Sequence, residues 1–259
     1  MVEDNRGKKN KYVDTIEKID KFNGIDTPLL RFRTTINSGK YNQIYVQRFA
    51  NLLMSKSLRT LWDQTCDSVD EIYPLDLLVG NQHFTKSLPS DLAGSSVVLT
   101  RLGIGHCTTK PAAGGLVSPR EQLTLCGINE SPNVGGVIWG YECPSSMNNL
   151  FPAGRQTLTR AKSHVFAASI ERTKDGEGFE VEYVIQLEIG GRIPTWTTAP
   201  MVVQTIKNLF KFTHGYFGEG GEGRGGEGEG REEGGVEERM EELLRDKIMG
   251  GKEDLLVTM

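Results

Sequence analysis

His106 and Cys107 place an imidazole directly beside a thiol. A thiolate activated by an imidazole base attacks carbonyl carbon, provided the two side chains meet. In "TRLGIGHCTT" they do not, because the segment reads as a strand and neighbours on a strand point to opposite faces. No GxSxG, HExxH or DxD-type carboxylate cluster accompanies them. The plain reading is a strand histidine beside a small apolar thiol. The other cysteines, Cys66, Cys126 and Cys143, show no CxxC spacing, so neither a metal site nor another cofactor is expected. Gly221, Gly223 and Gly226 spell GxGxxG, but within acidic low-complexity sequence that would repel a phosphate. Asn129-Glu130-Ser131 matches a glycosylation sequon and reads as a plain loop.

Two stretches carry more. "SPRE" enters a strand through Pro119, which sets φ and avoids a ladder donor it could not supply, and leaves Arg120 and Glu121 at the sheet rim as an ion pair. "FEVEYVIQLEIGGRIPTW" sets Val181, Tyr183, Ile185, Leu187 and Ile189 on one wholly apolar face, then bends at Gly190-Gly191. A helix over 199–213 follows, capped by Thr198 or Ala199 with Pro200 in its first turn. Val202, Ile206, Leu209 and Phe210 form its apolar stripe, against Gln204, Lys207, Asn208 and Lys211.

The elements that must position these residues follow from periodicity. "LRFRTTI" alternates as a strand with one wet face. Tyr41, Tyr45, Phe49, Leu52 and Leu53 take helical spacing from about 40 to 54, with Ser38 as N-cap. Strands are expected at 78–86, 96–105, 122–129, 135–143, 159–171 and 178–188. Strand, helix, a run of antiparallel strands and a closing helix make an α+β domain.

The order, with "LVSPRE", "LTRAK" around Arg160 and Ala161, and "YVIQLEIGGRIPTW" before a terminal helix, resembles the START domains, the lipid-transfer domains related to steroidogenic acute regulatory protein. The resemblance spans about residues 26 to 213. It implies a helix-grip fold, in which a curved antiparallel sheet wraps the C-terminal helix and encloses a tunnel for one lipid. Pro119, Arg120, Glu121 and Arg160 would be its structural motif, with Glu121 where the family has Asp. The loop at 129–136 would open beside the helix. Cys107 and Cys126 fall where sterol-binding relatives place a buried acid and arginine, leaving no strong polar anchor there. With Trp139 and Tyr141, which share a strand face and line either the tunnel or the core, and Val202, Ile206, Leu209 and Phe210, they are the candidate lipid-binding residues.

Composition sets the limits. The chain has 259 residues, 37% of them hydrophobic, and a formal charge of −4, which gives no general attraction for nucleic acid. No run reaches the roughly 20 apolar residues that span a bilayer, and the first residues lack a signal-peptide pattern, so a soluble cytoplasmic protein is expected. Residues 1–24 read as a flexible arm in which "YVDTIEKIDKF" forms a short helix, 25–214 as the folded domain, 215–235 as a Gly/Glu linker, and 236–259 as a tail with an amphipathic helix. The expected function is non-catalytic binding or transfer of a phospholipid, sterol or other lipid, with transient contact with a membrane surface. The alternatives are a helix-grip enzyme with His106 or His164 facing inward, and an interaction module with a collapsed cavity.

Overall fold

The computed structural model describes residues 11–39, 41–74, 98–112, 115, 117–131, 134–143, 145–146, 158–191, 193 and 195–218. The strand expected at 78–86, the first ten residues and the tail beyond 218 lie outside the described residues.

The strands are β1 (Thr15–Ile19), β2 (Leu29–Asn37), β3 (Cys66–Pro74), β4 (Val98–Thr109), β5 (Arg120–Ser131), β6 (Gly135–Glu142), β7 (Thr159–Arg160), β8 (Lys162–Arg172) and β9 (Gly178–Glu188). They form one sheet in the order β1-β2-β9-β8-β6-β5-β4-β3, with two-residue β7 added in parallel to β5 and every other pairing antiparallel. Hairpin succession explains most neighbours. The exceptions are β6 against β8, which skips the two-residue β7, and β2 against β9, which brings the first and last parts of the domain together.

Helices α1 (Ile44–Met54), α2 (Lys56–Trp62) and α3 (Thr195–Phe217) pack against this curved sheet. In β2, Leu30, Phe32, Thr34 and Ile36 are buried while Arg33 and Thr35 are exposed, as a period of two with one wet face requires. Phe32 meets Phe210 of α3 edge to face with ring centroids 6.5 Å apart. At the end of α3, Phe217 is fully buried between Tyr45 of α1 (5.3 Å) and Phe179 of β9 (5.2 Å). These aromatic contacts hold the helix in the grip of the sheet.

Three expectations change. The arm expected to be flexible and helical is strand β1, running in register from Thr15↔Arg33 to Ile19↔Leu29. β2 presents an open row of ladder groups, and β1 covers it, with the Asp14 carboxylate accepting the Thr35 N–H at 2.8 Å. Helix α3 starts four residues before the expected point and outlasts the expected domain end at 214, so Pro200 lies in its second turn and forfeits one main-chain hydrogen bond. The first turn of α1 is served by Asn42, whose Oδ1 accepts the Ile44 N–H at 3.0 Å, and not by Ser38. No described helix is long and apolar enough to cross a membrane.

Candidate functional site

The apolar face of β9 builds one wall of a cavity. Tyr183, Ile185, Leu187 and Ile189 line it because a strand sends alternate side chains to one face, and the first turns of α3 lie opposite with Met201, Val202 and Ile206. The volume is about 390 Å³. A smaller chamber of about 120 Å³ adjoins it between α1, α2 and strands β3 to β5. Arg59, Trp62, Cys107, Gln122, Tyr183 and Ile185 line both chambers.

Register fixes which β4 and β5 residues turn inward. Cys107 pairs with Gln122 and Gly103 with Cys126, so Gly105 and Cys107 share the cavity face with Gln122, Thr124 and Cys126. His106 also borders the smaller chamber, but the alternation that turns Cys107 inward sends the His106 ring to the opposite face. It is fully buried, with Nε2 3.4 Å from Glu121 Oε2. His164 Nε2 lies 3.1 Å from Glu188 Oε2. The partner shown for each ring is a carboxylate, the arrangement of a held histidine and not of a base on a thiol.

The candidate residues divide. Cys107, Val202 and Ile206 line the larger chamber, and Cys107 and Cys126 the smaller. Leu209 and Phe210, on the same helix stripe, are fully buried in the core and reach neither chamber, because α3 leaves the cavity after its first turns and packs on Phe32. Trp139 and Tyr141 occupy the opposite face of the sheet. A Cβ on Gly140 would sit 3.5 Å from the Cys126 sulfur, so the residues flanking Gly140 point outward. There the Trp139 indole lies over Gly127, where a Cβ would come within 2.2 Å of it, and meets Tyr141, which is 59% exposed, at a tilt of 53° with ring centroids 5.8 Å apart. The loop at 129–136 is also misplaced. Strands β5 and β6 run nearly to its tip, Gln43 of the α1 cap donates to Gly135 O at 3.3 Å, and its described residues line neither chamber. The larger chamber is bordered instead by Lys110, Ala112 and Val117 of the β4–β5 connection.

Arg120 does something other than pair with Glu121. It is 6% exposed, and its Nε donates to Ile189 O at 2.9 Å, its Nη1 to Ser118 O and Oγ at 2.6 Å each, and its Nη2 to Gly190 O at 3.4 Å. The guanidinium thereby clamps the bend between β9 and α3. Gly190 and Gly191 hold φ of +74° and +76° at that bend, and a Cβ on Gly190 would lie 2.5 Å from Arg160 O. Arg160 in turn donates from Nη2 to Cys143 O at 2.7 Å, with Nε 3.4 Å from Glu142 Oε1.

Sequence reasoning missed the charged group in the cavity wall. Arg59 and Asp63 stand one turn apart on α2 and at its end, with Nε 3.2 Å from Oδ2. Asp63 is 4% exposed, and its Oδ1 accepts from the Thr65 N–H (3.1 Å) and hydroxyl (2.6 Å). Arg59 Nη1 donates to Leu53 O at 3.2 Å, and the guanidinium lies 5.5 Å from the Trp62 ring centre. The signal was the i, i+4 spacing of Arg59 and Asp63 around Trp62 in "LRTLWD". Among the described residues no group of three or more His, Cys, Asp or Glu side chains is placed to hold a metal ion.

No protein-family model matches the sequence, and no curated protein matches it significantly. Among solved structures the chain is similar to human StAR-related lipid transfer protein 5, with a TM-score of 0.53 and 12% identity over 77% of this chain and 84% of that one. It is similar also to human STARD10, with a TM-score of 0.50 and 12% identity over 76% of this chain and 71% of that one. The likeness is one of fold: the chain has the helix-grip fold of StAR-related lipid transfer domains.

Proposed function

We propose that this protein binds one amphiphilic lipid between α3 and the sheet and carries it between membranes through transient surface contact, without catalysing a reaction of the lipid. The observation that carries the reading is a chamber of about 390 Å³ walled by Tyr183, Ile185, Leu187, Ile189, Val202 and Ile206, with its charged groups, the Arg59–Asp63 pair and Lys110, Arg120 and Glu121, also on the lining. That volume falls within the roughly 300–1,000 Å³ range of small-molecule sites, and its apolar lining suits a hydrocarbon tail. Burying on the order of 400 Å² of tail at about 25 cal/mol per Å² contributes roughly 10 kcal/mol before association costs, enough for micromolar or tighter binding. Arg59 supplies the polar contact that Cys107 and Cys126 do not. Its Nη2 donates to no protein acceptor among the described residues and is available to an oxygen of the lipid head. The four cysteines are free, which suits the reducing cytoplasm.

Displacement of a fluorescent fatty acid by unlabelled fatty acid, lysophospholipid and cholesterol tests the reading. Saturable binding is expected, with acidic-headed lipids displacing the probe at micromolar concentration. Arg59→Leu also strands Asp63, so Arg59→Leu/Asp63→Leu is measured beside it. In the folded double variant, affinity for the acidic lipids should fall about tenfold to a hundredfold, the loss of one charge-assisted hydrogen bond. Failure of every lipid to displace the probe, or of the probe to bind saturably, would contradict the reading.

A further inference from the structure

Cys107 is not a solitary thiol. Its side chain stands in the wall shared by both chambers, beside the Cys66 thiol across the β3–β4 ladder and near Arg59 of α2. A cysteine kept only for packing would face apolar neighbours alone; this one faces the space assigned to a lipid and carries two groups that stabilise a thiolate. Cys66 pulls the Cys107 thiol below its ordinary range, burial opposes this, Arg59 favours it, and Asp63 and Asp70 work against it. Cys126, on the same wall, is pushed up to about 12, chiefly by burial and then by Cys143, which outweigh the opposing pull of Arg59. The two cavity cysteines therefore differ in the form that reacts, since the thiolate is the nucleophile.

Resting on the reading of the cavity as a lipid site, we propose that Cys107 captures electrophilic lipids, adding to an α,β-unsaturated aldehyde or ketone while its hydrocarbon tail fills the larger chamber. The Cys107 sulfur lone pair forms a C–S bond at the β-carbon, and the C=C electron pair moves to the α-carbon through the enolate. A proton, the equivalent of the one lost by the thiol, then completes the α-carbon. The product is the sum of protein and lipid. Nothing leaves and nothing is oxidised or reduced. Holding the tail against Ile185, Leu187 and Ile206 turns the encounter into a positioned one, which raises the local concentration of the electrophile at the sulfur. Oxidation to a Cys66–Cys107 disulfide is the weaker use of this pair, since Cys66 pairs with Thr109 and Cys107 with Val69, a diagonal relation that sets the two backbones far apart for a bridge.

The test incubates the full chain with trans-2-dodecenal or trans-2-pentenal, which share a reacting group and differ in tail. Intact-mass and peptide-mass measurements follow the product. Addition keeps the whole mass of the aldehyde, whereas imine formation on lysine loses water. The expected result is one adduct per chain on Cys107, formed at least about tenfold faster with the longer tail, a decade being about 1.4 kcal/mol of tail binding. Palmitate should slow it, and Cys107→Ser should abolish it. Equal rates for the two tails, or an adduct placed on another cysteine, would overturn the proposal. Palmitate binding, read separately by displacement of the fluorescent fatty acid, separates the two claims: binding without an adduct sinks the capture alone, and reaction at Cys107 without fatty-acid binding sinks the lipid reading with it.

Discussion

Replacing Arg120 by alanine should cost more than any surface charge in this protein. The side chain donates to Ile189 O at 2.9 Å and to Ser118 O and Oγ at 2.6 Å while only 6% exposed, so water cannot replace it on the β9 side. Hydrogen bonds to a charged group contribute about 1.5–3 kcal/mol each. Counting one bond to each of the two segments it joins, the loss is about 3–6 kcal/mol. At about 2–4 °C per kcal/mol for a domain of this size, the melting temperature falls by roughly 6–24 °C. Lysine recovers little, because a point charge on a flexible stem cannot reach Ser118 and the Gly190 bend together. Thermal unfolding of the two variants by circular dichroism, with fatty-acid affinity measured well below the transition, checks both consequences. Affinity should fall as well, since the clamp holds the bend from which α3 starts over the chamber. A melting temperature within about 2 °C of the parent for Arg120→Ala, or full rescue by Arg120→Lys, would refute the clamp.

Other expectations follow from the same contacts. Leu209→Ala should lose about 2–5 kcal/mol of stability by denaturant unfolding, as a fully buried core leucine, with little direct effect on lipid affinity. Ile206→Trp should act in the opposite sense, filling the chamber and weakening fatty-acid binding while the fold persists. Truncation after Gly218 should leave the melting temperature nearly unchanged, whereas truncation after Gly215 removes buried Phe217 and should cost about 3–5 kcal/mol. Burial lowers the pKa of His214, which bonds Thr34 Oγ1 at 2.7 Å. Its neutral form is therefore favoured in the fold, and the stability it contributes is present above the unfolded value near 6.5 and lost as pH falls toward its folded value. His214→Gln should flatten the stability profile through that window.

How much of this was legible depended on whether a residue's meaning is local. The β9 face was legible because period two is written directly in Val181, Tyr183, Ile185, Leu187 and Ile189, and one apolar side admits one orientation. β3 was missed because "CDSVDEIYP" carries its charges at Asp67, Asp70 and Glu71, diluting any alternation. β1 was misread because "TIEKI" is too short to distinguish periods, and only the open edge of β2 decides its state. Trp139 and Tyr141 were read as sharing a strand face that lines either the tunnel or the core, yet the face they take is set by the register of β5 against β6, which composition does not carry. Arg120 was placed at a rim because its acceptors lie about seventy residues away in β9 and the bend after it. Arg59 was overlooked for the same kind of reason, since it becomes a cavity group only when α2 packs beside β3 and α3. The stripe of α3 was legible as apolar, but its division was not, because one helix face serves two neighbours, the chamber at Val202 and Ile206 and the core at Leu209 and Phe210.

The most direct test of the central claim is native mass spectrometry of the chain purified from its own cells, with extraction and identification of whatever it holds. One amphiphilic lipid per chain, released intact on activation and exchanged for an acidic-headed lipid supplied in vesicles, is the expected result. Only the bare chain, both as purified and after incubation with vesicles of fatty acid, phospholipid and cholesterol, would contradict the account.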